Sequence, residues 1–261
     1  MIDIHCHILP GIDDGPKNWA ESLKMAQIAC KDGIRKIVAT PHYIKGSYEP
    51  PVKEVLSLTK ELNERIKKEG LQLEILPGME VYMDPELPEW VKNEKVLTFN
   101  NERKYILIEF PPDSMSPQSE RVFYELRLQG IMPILAHPER NEVIMKDPQK
   151  LFPFVEKGLL TQVTTSSLHG HFGSRCRDTA DFLLNHNMAH FIASDAHFVP
   201  GRMPELKKTY ELLREKSPVT YDLLKKYESD FEKGKYIVQE EPIPVKTEKR
   251  RNLFERLKTF L

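Results

Sequence analysis

The chain alternates short apolar runs with longer stretches in which apolar residues recur every three or four positions. The runs "DIHCHIL", "RKIVATPH", "LQLEILPGMEVY", "KYILIEF", "IMPILAHPER", "LLTQVTTSS" and "AHFIASDAH" read as seven strands. A first helix starts at about Asn18, which can cap it, with Glu21 three residues on as in a capping box. Leu23, Ala26 and Cys30 follow at helical spacing, and Gly33 is a natural stop. Further helices are expected over 52–69, 117–129, 147–158 and 175–187, with a short helical or irregular stretch over 85–94. The last helices run to about residue 233, and residues 234–261 read as a linker and tail. Seven strand–helix alternations predict a parallel sheet with crossover helices. With so many units in one α/β domain, here 1–233, closure into a barrel is favoured over an open sheet.

The first strand departs from a simple apolar pattern. In "MIDIHCHILPGIDDG", His5 and His7 share one strand face with Asp3, while Ile2, Ile4 and Ile8 take the other with Cys6 between them. An apolar face can pack while the polar face lines a cavity. The later strands end in the same chemistry: His42 on the second, Glu80 on the third, Glu109 on the fourth, His137 on the fifth, and Asp195 with His197 on the seventh. Asp13 and Asp14 follow in the first loop. Taken singly, each has an ordinary explanation as a capping histidine, a solvated acid or a turn aspartate. Repeated at one edge of one sheet, they mark the place where α/β proteins build sites. Imidazole with carboxylate suits Zn, Mn, Fe or Ni better than Ca or Mg alone. The candidates exceed the three or four protein ligands one ion takes, so two or three ions sharing bridges are expected. Such clusters serve hydrolysis, because bound cations lower the pKa of water and clamp oxygens.

Composition narrows the class. The 261 residues carry a net charge of −1, with 40% hydrophobic and 30% charged residues, as in a soluble globular protein without a nucleic-acid-binding charge balance. No apolar run approaches the roughly 20 residues of a membrane helix, and the first residues show no signal-peptide pattern. Cys6, Cys30 and Cys176 show no paired spacing, which fits a reducing, cytoplasmic compartment. Cysteine-dependent phosphatase chemistry needs Cys-x5-Arg, yet Ile12, Lys36 and Phe182 stand where the arginine would be. There is no Gly-Lys-Ser/Thr phosphate loop either.

"DIHCH", "TPHY", "GMEVY", "HPER" and "ASDAH" resemble the motifs of the polymerase-and-histidinol-phosphatase (PHP) family. More narrowly, "MIDIHCHILPGIDDGP" and "IASDAH" followed by "GRMP" are similar to the bacterial manganese-dependent protein-tyrosine phosphatases of capsule and exopolysaccharide clusters, over Met1 to about residue 230. The resemblance implies a distorted barrel of seven βα units with three divalent ions, manganese first and iron, zinc or magnesium as alternatives. It implies one ion held by His5, His7, Glu80 and Asp195, a second by Glu80, Glu109 and His137, and a third by Asp14, His42 and His197. Four carboxylates against three such ions leave a formal surplus near +2, a match for a phosphomonoester dianion. Arg140 in "HPER" and Arg202 in "GRMP" resemble the phosphate-binding arginines of the family, a role the planar guanidinium suits.

The expected substrate is phosphotyrosine in a tyrosine autokinase that controls polysaccharide export. The competing expectations are a small-molecule phosphatase such as one for histidinol phosphate, a non-catalytic PHP module, and a nuclease. Residues 246–261, "KTEKRRNLFERLKTFL", hold six basic and two acidic residues. As a helix they would place Leu253, Phe254, Leu257, Phe260 and Leu261 on one face. That pattern suits either docking on the barrel or contact with an anionic membrane surface or the kinase there.

Overall fold

The computed structural model describes residues 1–197 and 202–244. In chain order the strands are β1 (Ile2–Cys6), β2 (Lys36–Ala39), β3 (His42–Tyr43), β4 (Glu74–Pro77), β5 (Glu80–Tyr82), β6 (Tyr105–Glu109), β7 (Met132–Ala136), β8 (Leu160–Thr164) and β9 (Phe191–Ala193). The helices are α1 (Trp19–Asp32), α2 (Val52–Lys68), α3 (Leu87–Lys92), α4 (Ser119–Leu128), α5 (Glu142–Lys146), α6 (Phe152–Glu156), α7 (Thr165–Leu168), α8 (Ser174–Asn185), α9 (Lys207–Lys216) and α10 (Pro218–Glu232). All strand pairs are parallel, in a sheet of order β1-β2-β4 and a second of order β3-β5-β6-β7-β8-β9.

Two of the seven expected strands are each broken in two. The second is interrupted at Thr40–Pro41, between β2 and β3, and the third at Gly78, between β4 and β5. Gly78 is required there by close approach: a Cβ would lie 2.8 Å from Val38 Cγ1 and 3.0 Å from Phe99 Cδ1. Each broken strand passes from the first sheet to the second, so the strand positions follow chain order. The first and last positions also meet: the Asp195 amide donates to the His5 carbonyl at 2.8 Å, and the His7 amide to the Ala196 carbonyl at 2.9 Å.

Local signals hold where the side chains make them. Asn18 Oδ1 accepts from the Glu21 amide at 3.1 Å, and Gly33 ends α1 at φ 93°. The stretch "SS" of the sixth run belongs to α7, not to a strand, and α5 is an additional helix after "HPER". Along β6, Tyr105 and Leu107 share a face with Glu109, and along β9, Phe191 and Ala193 precede Asp195 at the same two-residue spacing. These apolar residues pack with Ile134, Ala136, Leu160, Val38 and Tyr227 of α10 in one buried cluster. The strands are therefore apolar near their starts and polar at their ends. The first strand is less regular than strict alternation implies: Ile2 and Ile4 join this cluster, whereas Cys6 and Ile8 pack with the helices. A register shift between Asp3 and Cys6 separates the two behaviours.

Residues 234–244, read above as the start of a linker, run beneath the strand starts. The Tyr105 hydroxyl donates to the Lys235 carbonyl and accepts from the Ile237 amide, the Tyr227 hydroxyl accepts from the Glu240 amide, and the Ile243 amide donates to the His186 carbonyl. The basic segment 246–261 lies outside the described residues. Among the described residues, no helix is long and apolar enough to cross a membrane.

Candidate metal centre

The strand ends bring nine side chains into one cluster: His5, His7, Asp14, His42, Glu80, Glu109, His137, Asp195 and His197. His5 Nε2 and His7 Nε2 are 3.1 Å apart, and each lies 3.3 Å from Glu80 Oε2. The same nitrogens lie 3.4 and 3.6 Å from Asp195 Oδ1. His137 Nε2 lies 3.0 Å from Glu80 Oε1 and 3.6 Å from Glu109 Oε1. Asp14 Oδ1 lies 3.3 Å from His197 Nε2 and 3.6 Å from His42 Nε2. His42 also turns its other nitrogen toward the centre, with Nδ1 3.0 Å from Glu80 Oε2 and 3.8 Å from Glu109 Oε2. It thus stands between two of the three ligand groups that the resemblance separates.

The donor set fits divalent cations. Ligand atoms sharing an ion at bond lengths of roughly 2.0–2.2 Å sit about 3.0–3.6 Å from one another. His42 Nδ1 and Glu80 Oε2 are both buried and neither has a hydrogen-bond partner, although they face each other. Orphaned buried polar atoms are costly, and a shared cation satisfies both.

The surrounding protein fixes which nitrogen each histidine presents. His7 Nδ1 lies 2.7 Å from Asp13 Oδ2, His5 Nδ1 lies 2.8 Å from Gln162 Oε1, and His197 Nδ1 lies 3.0 Å from the Asp195 carbonyl. With a proton on Nδ1 donated outward, Nε2 of all three is left with a lone pair toward the cluster. Asp13 is itself held by the amides of Gly15 at 2.9 Å and His42 at 3.0 Å. The sequence places Asp13 beside Asp14 in the first loop without a separate role, and it does not single out Gln162. The -Asp-Asp- pair was the only signal for the first, and β8 gave none for the second. Asp3, expected to share the His5 face, accepts from the Ser194 amide and hydroxyl and the His5 amide, so it ties β1 to the end of β9.

The charge balance records the crowding of acids. Burial, reinforced by the Glu80 carboxylate, pushes Glu109 up to about 8. Burial and the Arg140 charge pull His137 down to about 4. Burial opposes the charge on Asp195, but His5, His137, Arg202 and Arg140 together hold it well below the usual carboxylate range. Both arginines reach it directly: Arg140 Nη1 donates to Asp195 Oδ2 at 2.5 Å, and Arg202 Nη2 donates to the same oxygen at 2.7 Å. Both remain partly exposed, at 29% and 25% of the side chain. Cys6 and Cys176 are buried with their thiols pushed up by burial, and none of the three cysteines is paired. Cys6 packs as core, as its strand position implies.

The fold and site define a class: a parallel α/β protein with a histidine–carboxylate cation cluster at the carboxyl ends of its strands. The chain belongs to the family described as capsular polysaccharide synthesis, CpsB/CapC, whose model matches residues 1–224. It is 40% identical over 256 residues to the tyrosine-protein phosphatase YwqE of Bacillus subtilis, covering 97% of this chain and 99% of that protein. It is 31% identical over 222 residues to the tyrosine-protein phosphatase CpsB of Streptococcus agalactiae, covering 82% of this chain and 89% of that one. Among solved structures, one from the work on YwqE of B. subtilis and CpsB of Streptococcus pneumoniae, described as metal-dependent tyrosine phosphatases, matches with a TM-score of 0.88 at 40% identity. It covers 94% of this chain and 100% of that chain.

Proposed function

We propose that this chain is a metal-dependent protein-tyrosine phosphatase that holds three divalent cations, manganese first among the candidates, on the nine clustered residues. The observation that carries the reading is the convergence of imidazole and carboxylate atoms at 3.0–3.6 Å around buried, unpartnered Glu80 Oε2 and His42 Nδ1. The names of the relatives support phosphotyrosine as the substrate class. Bound cations would supply Lewis acidity and a water of lowered pKa to a phosphomonoester hydrolysis.

The protein's own groups do the rest. Arg140 and Arg202, anchored on Asp195 Oδ2, present their free N–H groups to the non-bridging phosphoryl oxygens. Asp13 and Gln162 hold His7 and His5 in the tautomer that leaves Nε2 free. The buried cysteines stay out of the chemistry.

The family's description supports a place in capsular or exopolysaccharide synthesis, and with it a phosphorylated tyrosine kinase as the protein substrate. A cytoplasmic location, with the basic segment 246–261 touching the kinase or the inner membrane face, completes the proposal; catalysis rests on residues 1–233. The test is a comparison of initial rates on a phosphotyrosine peptide, histidinol phosphate and a phosphodiester after manganese addition. Turnover concentrated on the peptide is expected. Equal or greater turnover of histidinol phosphate or the diester would overturn the assignment.

A further inference from the structure

Seven large hydrophobic side chains are more than a third exposed among the described residues. Tyr124 and Leu128 lie on α4, Val219 on α10, and Tyr236, Val238 and Ile243 along the segment beneath the strand starts. Phe172 alone stands at the carboxyl edge of the strands, 39% exposed, and Arg140 Cζ lies 4.7 Å from its ring centroid. The Arg140 guanidinium spends Nη1 on Asp195 and lies over the face of the Phe172 ring.

The loop that carries Phe172 is built to hold it there. It follows β8 through the short helix α7 and turns tightly, with the His171 amide on the Ser166 carbonyl at 3.0 Å and the Gly173 amide on the Gly170 carbonyl at 3.0 Å. Gly170 and Gly173 take φ of 79° and 91°, which a side chain would resist. Beneath it, Glu139 is fully buried, and its Oε1 accepts from the Thr164 amide at 2.9 Å and the Ser167 hydroxyl at 2.6 Å. Adjacent residues of "HPER" therefore serve one construction: Glu139 ties down the root of the loop, and Arg140 lies under its tip. A partly exposed apolar ring 4.7 Å from Arg140 stands within reach of a group that extends from a phosphoryl held by that arginine.

We propose that Phe172 is a specificity-determining residue that receives the aromatic ring of the phosphotyrosine ester, so that the site prefers aryl over alkyl phosphate groups. This rests on the phosphatase reading and assigns the side of the opening on which the ring lies. Aromatic pairs favour offset or edge-to-face contact, and such a contact adds to the burial of the ring itself.

The test uses the full chain loaded with manganese and measures binding of phenylphosphonate and methylphosphonate by calorimetry, alongside turnover of a phosphotyrosine peptide. In Phe172→Ala, the Kd of phenylphosphonate should rise about 10-fold while that of methylphosphonate stays within about twofold; Phe172→Tyr should restore the preference. Equal weakening of both ligands would mean that Phe172 only steadies Arg140, and the proposal would be wrong. It would also be wrong if aryl preference survived in Phe172→Ala but fell in Tyr48→Ala, since Tyr48 flanks His42 at 6.0 Å between ring centroids. Failure of the wild type to turn over the peptide while still preferring the aryl ligand would instead count against the phosphatase reading.

Discussion

Arg140 and Arg202 donate to a single oxygen, Oδ2 of Asp195, at 2.5 and 2.7 Å. They come from separate motifs, one after β7 and the other beyond β9, and the carboxylate they share joins the histidine–carboxylate cluster through its other oxygen. Asp195 is thus both a ligand candidate and the post that anchors the two arginines proposed to hold phosphate. Asp195→Asn keeps the shape but removes the charge that serves both roles. Its kcat on a phosphotyrosine peptide should fall at least about 100-fold, the scale of deleting one preorganised electrostatic group. Steady-state kinetics at saturating manganese would show it, and a variant with wild-type kcat would remove Asp195 from the site.

The arginines themselves should separate binding from turnover. Each of Arg140→Ala and Arg202→Ala should raise the inhibition constant of inorganic phosphate about 10-fold while retaining bound metal, because a guanidinium meets ground-state oxygens as well as the transition state. Competitive inhibition and metal analysis of the same preparations test this. An unchanged phosphate inhibition constant would place that arginine outside the phosphate site.

Asp13 touches the cluster through the His7 ring and the His42 amide, behind the ligand atoms themselves, so its removal should be read in metal affinity. Asp13→Asn should weaken manganese binding about 10- to 100-fold, as loss of a carboxylate behind a ligating imidazole does. Excess manganese should recover most of the turnover. Titration of metal-free protein followed by assay at each concentration distinguishes this from a folding defect, which excess metal would not repair.

Much of this site was legible in the sequence because metal ligation demands particular side chains at strand ends, and strand ends are marked by where apolar runs stop. His5, His7, His42, Glu80, Glu109, His137, Asp195 and His197 all stand at such stops. What supports them was less legible. Gln162 lies in the middle of an apolar-looking run, and only the neighbouring β1 shows why an amide is needed there. Asp13 and Asp14 are adjacent and alike, yet one faces the cluster and the other braces His7, a division made by the loop's path. The strand break at Gly78 depends on contacts between distant segments, with Val38 and Phe99 against it. Residues 234–244 carry charge and prolines typical of a linker, but Tyr105 of β6 and Tyr227 of α10 hold them in place.

A buried histidine away from the cluster gives a pH dependence of stability. His190 is fully buried and accepts at Nδ1 from the Thr161 amide, and burial lowers its pKa to about 3. Unfolding returns it to about 6.5, so between these values the unfolded chain binds the extra proton. The neutral ring's contribution is complete above pH 6.5 and is lost as pH falls toward 3, at up to about 1.4 kcal/mol per pH unit. Urea unfolding of metal-free protein at pH 7 and pH 5 should show wild type losing about 2 kcal/mol more than His190→Gln. Equal losses would mean that the ring is protonated or exposed in the folded state.

The phosphotyrosine phosphatase activity is proposed to depend on cations held by the nine clustered residues. Its most direct test is turnover of a phosphotyrosine peptide by protein stripped with a chelator, then titrated with manganese while bound metal is counted. Turnover should be absent from the stripped protein, recover as metal binds up to about three ions per chain, and survive alkylation with iodoacetamide. Full turnover by the stripped protein, or its loss on alkylation alone, would contradict it.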